Sequence, residues 1–142
     1  MMAGYAGLAQ IDETLAAADA LLGAPLTALI NNGPSEELNI TTNTQPAMLA
    51  ADVAVWNAWL AVGGPKPSLV AGHSLGEYAA LVASESLDFA SAMKLVKARS
   101  QAMQDAVPAG IGGMAAVLGI EPVALAEVCE KASRARSFPA AI

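Results

Sequence analysis

A serine pinned between two glycines, Gly72-His73-Ser74-Leu75-Gly76, follows the apolar run at residues 67–71 and precedes the helix-forming stretch at residues 77–83. A short buried strand, a tight turn and then a helix is the order that a nucleophile elbow requires. The backbone there is bent so sharply that only glycine fits two residues either side of the serine. This order constrains the fold more than any other feature. A strand feeding a helix is a βα unit, and with a further apolar helix ahead of it the pattern is that of an α/β fold, a parallel sheet covered by helices on both faces. Ser74 is therefore the side chain whose chemistry has to be explained. The helix that starts behind it directs its free N–H groups and positive dipole end toward the serine, and the Leu75 amide can face an oxyanion forming on an attacked carbonyl.

The rest of the composition narrows the class. With 142 residues, 55% of them hydrophobic and 14% charged, the chain has the makings of one ordinary globular core. The most apolar stretch, residues 46–62, is shorter than the roughly 20 residues of a membrane span and carries Asp52 and Asn57, so it is expected to be a buried core helix. No basic start or long apolar block marks a secretory signal, and a single cysteine, Cys129, excludes an intrachain disulfide, so a cytoplasmic setting is expected. Cys129 itself reads as a small buried apolar residue on a helix. A net charge of −6 argues against nucleic acid as a partner. Six of the seven basic residues follow the serine motif, which directs any anionic ligand to that later part.

Periodicity and punctuation predict helices at residues 11–22, stopped by Gly23 and Pro25, at 25–30, and at 35–38. The long apolar helix is expected to start with Thr44 as its N-cap and Pro46 at its first position. Asp88 should cap another helix at residues 89–105, with Phe89, Met93, Val96 and Met103 as its buried stripe. A second strand candidate, residues 114–118, and a last helix at 122–132 follow. Two or three strands are too few for a complete doubly wound sheet, which raises the expectation that the chain is incomplete.

A serine hydroxyl needs a base, usually a histidine oriented by a third group. His73 is the one histidine, and neighbouring side chains on a sharp turn diverge, so it is expected to line the site rather than take the proton from Ser74. No metal-ligand pattern is present in the sequence. Arg99 lies at the border of its helix's buried face, away from Lys94 and Lys97. From spacing alone it is either a snorkelling surface arginine or a bidentate partner for a fixed carboxylate. Gln45, next to a helix start, either points into a site or is merely exposed.

Taken together, these residues resemble a family. Gly72-His73-Ser74-Leu75-Gly76-Glu77-Tyr78 is similar to the active-site segment of malonyl-CoA:acyl-carrier-protein transacylases. Asn32-Gly33-Pro34, Glu37-Leu38-Asn39, Thr44-Gln45-Pro46-Ala47-Met48-Leu49, Arg99 with Met103-Gln104, and the segment from Gly113 to Gly119 occur in that family's order and spacing. The resemblance implies that Ser74 accepts the acyl group, that Arg99 binds the free carboxylate of malonyl, that Gln45 and His73 line the pocket and that Leu75 gives one oxyanion N–H. It implies a ping-pong transfer from malonyl-CoA to the thiol of the acyl carrier protein, in fatty acid synthesis, with no cofactor and a monomeric complete protein. It further implies part of a hydrolase-like subdomain at residues 1–109, and the start of a small ferredoxin-like subdomain at 112–142.

Departures accompany the likeness. The family's opening Gly-Gln-Gly-Ser-Gln loop, which supplies the other oxyanion donor, and its later catalytic histidine have no counterpart in this sequence. Ser100 stands where the family usually has glycine, and the tail from Ser133 matches nothing expected. The chain as given is therefore expected to turn over slowly or not at all. A serine hydrolase using the same elbow, and a non-catalytic fragment, remain the alternatives.

Overall fold

The computed structural model of the chain describes residues 2–5, 7–107 and 117–136. The chain divides into two compact units, Met1–Ala109 and Gly110–Ile142. In the first, a 3-10 turn at Ala3–Tyr5 precedes six helices: α1 (Ala9–Leu22), α2 (Leu26–Asn32), α3 (Ser35–Leu38), α4 (Thr41–Ala61), α5 (Gly76–Ala83) and α6 (Phe89–Ala106). In the second, the described part is an irregular approach at residues 117–121 and helix α7 (Pro122–Arg136).

Helix α4 is the hub of the first unit, in contact with α1, α2, α3, α5 and α6. The sequence explains why. A helix that is apolar nearly all round has to be surrounded, and here Ala47, Ala50, Ala51, Ala54 and Ala58 recur at helical spacing and are buried. Small side chains at these positions let α1 and α6 approach closely, while Leu49 and Val53 fill the space between the alanines. From the facing helices come Ile11, Leu15 and Ala18 of α1 and Ala92, Met93 and Val96 of α6. Polar side chains tie the packed elements together. Asn57 Nδ2 donates to Thr14 Oγ1 at 3.0 Å, joining α4 to α1, and Lys97 Nζ of α6 donates to the Leu22 carbonyl at 3.3 Å.

The ends of the helices follow local chemistry. Gly23 takes the left-handed conformation that closes α1, with its N–H donating to the Asp19 carbonyl. Asp88 caps α6 by accepting from the Ser91 amide at 2.9 Å. The expected start of α4 needs correction. The helix begins at Thr41, so Pro46 lies inside it and Thr44 is not the N-cap. A turn forms ahead of the proline because the Ile40 carbonyl accepts from the Asn43 and Thr44 amides, each at 2.8 Å. The Thr44 hydroxyl donates back to the Leu38 carbonyl at 2.6 Å instead of capping forward.

The expected fold class is not what the structure shows. The described residues contain no β-strand, so they form neither the parallel hydrolase-like sheet nor the opening of a ferredoxin-like subdomain. The physical reason is that a strand exists only as a partner in a ladder. The apolar run 67–71 is irregular chain, with a bend at Ser68, and pairs with no other segment among the described residues. Of the second candidate, residues 114–116 lie outside the described residues, and Val117 and Leu118 form no ladder. The last helix runs on to Arg136, beyond its expected end, and Cys129 on it is half-buried rather than buried. No helix among the described residues is long and apolar enough to cross a membrane.

Candidate active site

The site is built where the irregular segment before α5 turns into that helix. Ser74 sits at φ 55°, in the left-handed region that residues with a side chain seldom occupy. Strain of this kind persists only where the surroundings impose it. Here the amides of Gly76, Glu77 and Tyr78 donate to the carbonyls of His73, Ser74 and Leu75 at 2.9, 3.3 and 3.0 Å, winding the turn directly into the helix. The Leu75 amide takes no part in these bonds.

The two glycines of the elbow are not equivalent. A Cβ added at Gly72 would stand 2.0 Å from the backbone carbonyl carbon and oxygen of Gly76, and 2.4 Å from the Glu77 nitrogen. No side chain can occupy that space without moving the helix start. At Gly76 an added Cβ would meet nothing within 4 Å. The sequence-based expectation that only glycine fits on both sides therefore holds for Gly72 and not for Gly76.

Two helices bring the remaining groups to the serine. Arg99, half-buried on α6, donates from Nη2 to Ser74 Oγ at 2.8 Å. Its Nη1 donates to Gln45 Oε1, and Gln45 Nε2 donates in turn to Met103 Sδ at 3.4 Å. Gln45 is only 7% exposed, on the α4 face that meets α6. Arg99 is half-buried, and its two side-chain partners, Ser74 Oγ and Gln45 Oε1, are a hydroxyl and an amide rather than a carboxylate. Gln45 is buried and not merely exposed.

His73 and Leu75 part company at the elbow. The His73 side chain is exposed, and among the described residues its ring makes no hydrogen bond, although its carbonyl helps to hold the turn. Leu75 is buried against the core and anchors the start of α5. The structure thus gathers Ser74, Arg99 and Gln45 into one hydrogen-bonded chain and leaves the imidazole outside it. Among the described residues, no three His, Cys, Asp or Glu side chains come together as a metal site.

One member of the site was missed in the sequence. Met103 is expected on the buried stripe of α6, but that stripe runs through Ala92, Met93, Val96 and Ser100, and Met103 is 39% exposed with its sulfur against Gln45. Arg99 and Met103 are four residues apart and so lie on one helix edge. That spacing was the available signal, and it needed Gln45 as the third point.

Away from the serine the surface opens. Two grooves of about 340 and 390 Å³ flank residues 66–72. Trp56, Lys66, Leu69 and Glu85 line the first, and Ala71, Gly72, Glu77 and Leu81 the second. Val70 and Ser84 border both, and neither groove reaches Ser74. An exposed ion pair, Lys66 with Glu85, holds the segment to the end of α5, and the hydrogen bond from Lys66 keeps the Glu85 carboxyl below its ordinary value.

The geometry is that of an elbow-borne serine with a left-handed backbone and an arginine hydrogen-bonded to its hydroxyl. Comparison with known proteins makes the class specific. Residues 5–135 match the acyl transferase domain family, and the chain belongs to that family. It is 50% identical over 123 residues to the malonyl CoA-acyl carrier protein transacylase of Salmonella typhimurium, covering 87% of this chain and 40% of that protein. The Bacillus subtilis protein of the same name is 46% identical over 114 residues, covering 80% and 36% respectively. The structure superposes on acyl-carrier-protein S-malonyltransferase from Burkholderia pseudomallei with a TM-score of 0.83 at 52% identity, over 92% of this chain and 42% of that one. A malonyl-transacylase solved in complex with a type II polyketide synthase acyl-carrier protein gives a TM-score of 0.81 at 46% identity, over 89% and 41%. The chain thus spans about 40% of the length of these curated relatives.

Proposed function

We propose that this chain carries the acyl-accepting site of a malonyl transfer from malonyl-CoA to the acyl carrier protein, a cytoplasmic step of fatty acid synthesis. The observation that carries the reading is the 2.8 Å contact between Arg99 Nη2 and Ser74 Oγ, with Arg99 tied from behind by Gln45. A cation fixed this close to the nucleophile suits an acyl group that bears a second carboxylate, which the planar guanidinium can bind in bidentate fashion. A neutral acyl group would leave that charge without a partner.

In the first half-reaction Ser74 Oγ attacks the thioester carbonyl. The new C–O bond forms as the C–S bond breaks, and the coenzyme A thiol departs with the proton that balances it. The Leu75 amide, free of the turn's own hydrogen bonds, is placed to steady the oxyanion. In the second half-reaction the carrier protein's thiol takes the malonyl group from the serine. The proton of Ser74 is the weak point. Arg99 cannot accept it, and the His73 ring makes no hydrogen bond among the described residues. Turnover by this chain alone is therefore expected to be slow, while a single acylation of Ser74 remains measurable.

Intact-mass spectrometry of the chain with malonyl-CoA tests the reading. The expected result is one malonyl adduct, lost in Ser74→Ala. Arg99→Ala should cut malonyl labelling by about tenfold or more, the value of hydrogen bonds to a charged group, and spare acetyl labelling. No adduct on Ser74 would overturn the proposal. Ser74 labelling by a neutral fluorophosphonate, with no preference for malonyl over acetyl thioesters and no effect of Arg99→Ala, would replace it with a serine hydrolase.

A further inference from the structure

The chain of contacts behind the serine ends on a methionine, and the chemistry of its two ends is one-sided. A guanidinium has only hydrogens to offer and a thioether sulfur only lone pairs. Gln45 lies between them, with Oε1 on Arg99 Nη1 and Nε2 at 3.4 Å from Met103 Sδ. Flipping the amide would set its NH₂ against the guanidinium and its oxygen against the sulfur, two repulsive pairs in place of two attractive ones. At 7% exposure Gln45 has little water to turn to, so each end of the amide depends on its protein partner. Arg99 and Met103 come from one edge of α6 and Gln45 from α4, so the three side chains form a clamp across the contact of those two helices.

We propose that Met103 is a positioning residue. Its sulfur fixes the orientation of the Gln45 amide, the amide oxygen fixes Arg99 Nη1, and Nη2 is thereby left aimed at Ser74. The hydrogen bond of Met103 is to Gln45, and its effect on Arg99 and Ser74 passes through that amide. Resting on the function proposed above, the same clamp sets the preference of the site for an acyl group with a free carboxylate over a neutral one, because a guanidinium free to swing discriminates less well.

The test uses the 142-residue chain labelled with nitrogen-15. The side-chain amide resonances of Gln45 are identified by their loss in Gln45→Ala, and their hydrogen exchange is compared in wild type, Met103→Leu and Met103→Ala. Both substitutions remove the acceptor at a half-exposed helical position, and Met103→Leu nearly conserves volume. Exchange at Gln45 should rise about threefold or more in both variants, the scale of one modest hydrogen bond. It should stay at the wild-type rate in chain made with selenomethionine, whose selenium is also an acceptor. Unchanged exchange in both variants would overturn the proposal.

Ser74 labelling by malonyl and acetyl thioesters then tests the second half. The malonyl-to-acetyl ratio should fall about threefold in Met103→Leu, with the melting temperature held. A ratio that stays put while exchange rises would overturn the specificity claim. Exchange that responds while neither thioester labels Ser74 would uphold the clamp and refute the malonyl function.

Discussion

Helix α4 and the segment from Lys66 to Ala83 are both apolar stretches of this chain, yet they end in opposite environments. In α4, Ala47, Leu49, Ala50 and Ala54 are entirely buried, enclosed by α1, α5 and α6. In the later segment Leu69 is 90% exposed, Val70 and Leu81 are each about two-fifths exposed, and α5 has no buried residue. The difference lies in how each element meets its backbone requirements. A helix satisfies its own N–H and C=O groups and then needs only side chains to cover it. An extended segment needs a neighbouring strand first, and the described residues supply none. Ser74 stands at the junction, held from the packed side by Arg99 of α6 and reached from the other by the open segment.

The largest expected effect that would sharpen this contrast is in the core. Leu49→Ala should cost about 2–5 kcal/mol in denaturant unfolding, and Leu69→Ala should stay within about 0.5 kcal/mol, because only the first empties a packed space. Equal losses at the two positions would break the comparison. Next comes the elbow itself. Gly72→Ala forces a methyl group onto the backbone of Gly76 and should destabilise by about 1–3 kcal/mol and abolish Ser74 labelling, whereas Gly76→Ala should do neither.

The smallest effect is at the mouth of α6. Hydrogen bonds from Ser91, its side chain first and then its amide, hold the Asp88 carboxyl below its ordinary value of 3.8. A carboxyl whose folded value is depressed contributes stability above the unfolded value and loses it as pH falls through the folded one. Asp88→Ala should therefore lower the melting temperature slightly at neutral pH. The gap from wild type should close on acidification from about pH 4 downward, and a gap that persisted in strong acid would mean that the cap acts without its charge.

How far the sequence could be read follows the same division. The helices were legible from period and punctuation. Gly23 and Asp88 ended and began helices where their chemistry said they would, and the apolar run at 46–62 became the buried hub. The start of α4 was misread because proline favours a first helical position, and the pull of the Ile40 carbonyl on two amides is not written in any local pattern. The sheet was misread for a deeper reason. A run such as Leu69-Val70-Ala71 has the composition of a strand, but pairing is a property of two segments, and the described residues offer it no partner.

In the site, the elbow was legible because strain at Ser74 and clash at Gly72 are local matters of five consecutive residues. The hydrogen-bond partners of Arg99 were not, since Gln45 lies 54 positions away and Met103 lies 58 from Gln45. Short-range order, the bend, the caps and the apolar helix, was thus determined by the sequence itself, because backbone sterics and hydrogen bonds act between near neighbours. Which polar groups would meet, which apolar surface would be covered and which apolar run would stay unpaired were decided only by the packing of α4 against α6 and α1, since burial and long-range hydrogen bonds exist only once the helices have come together.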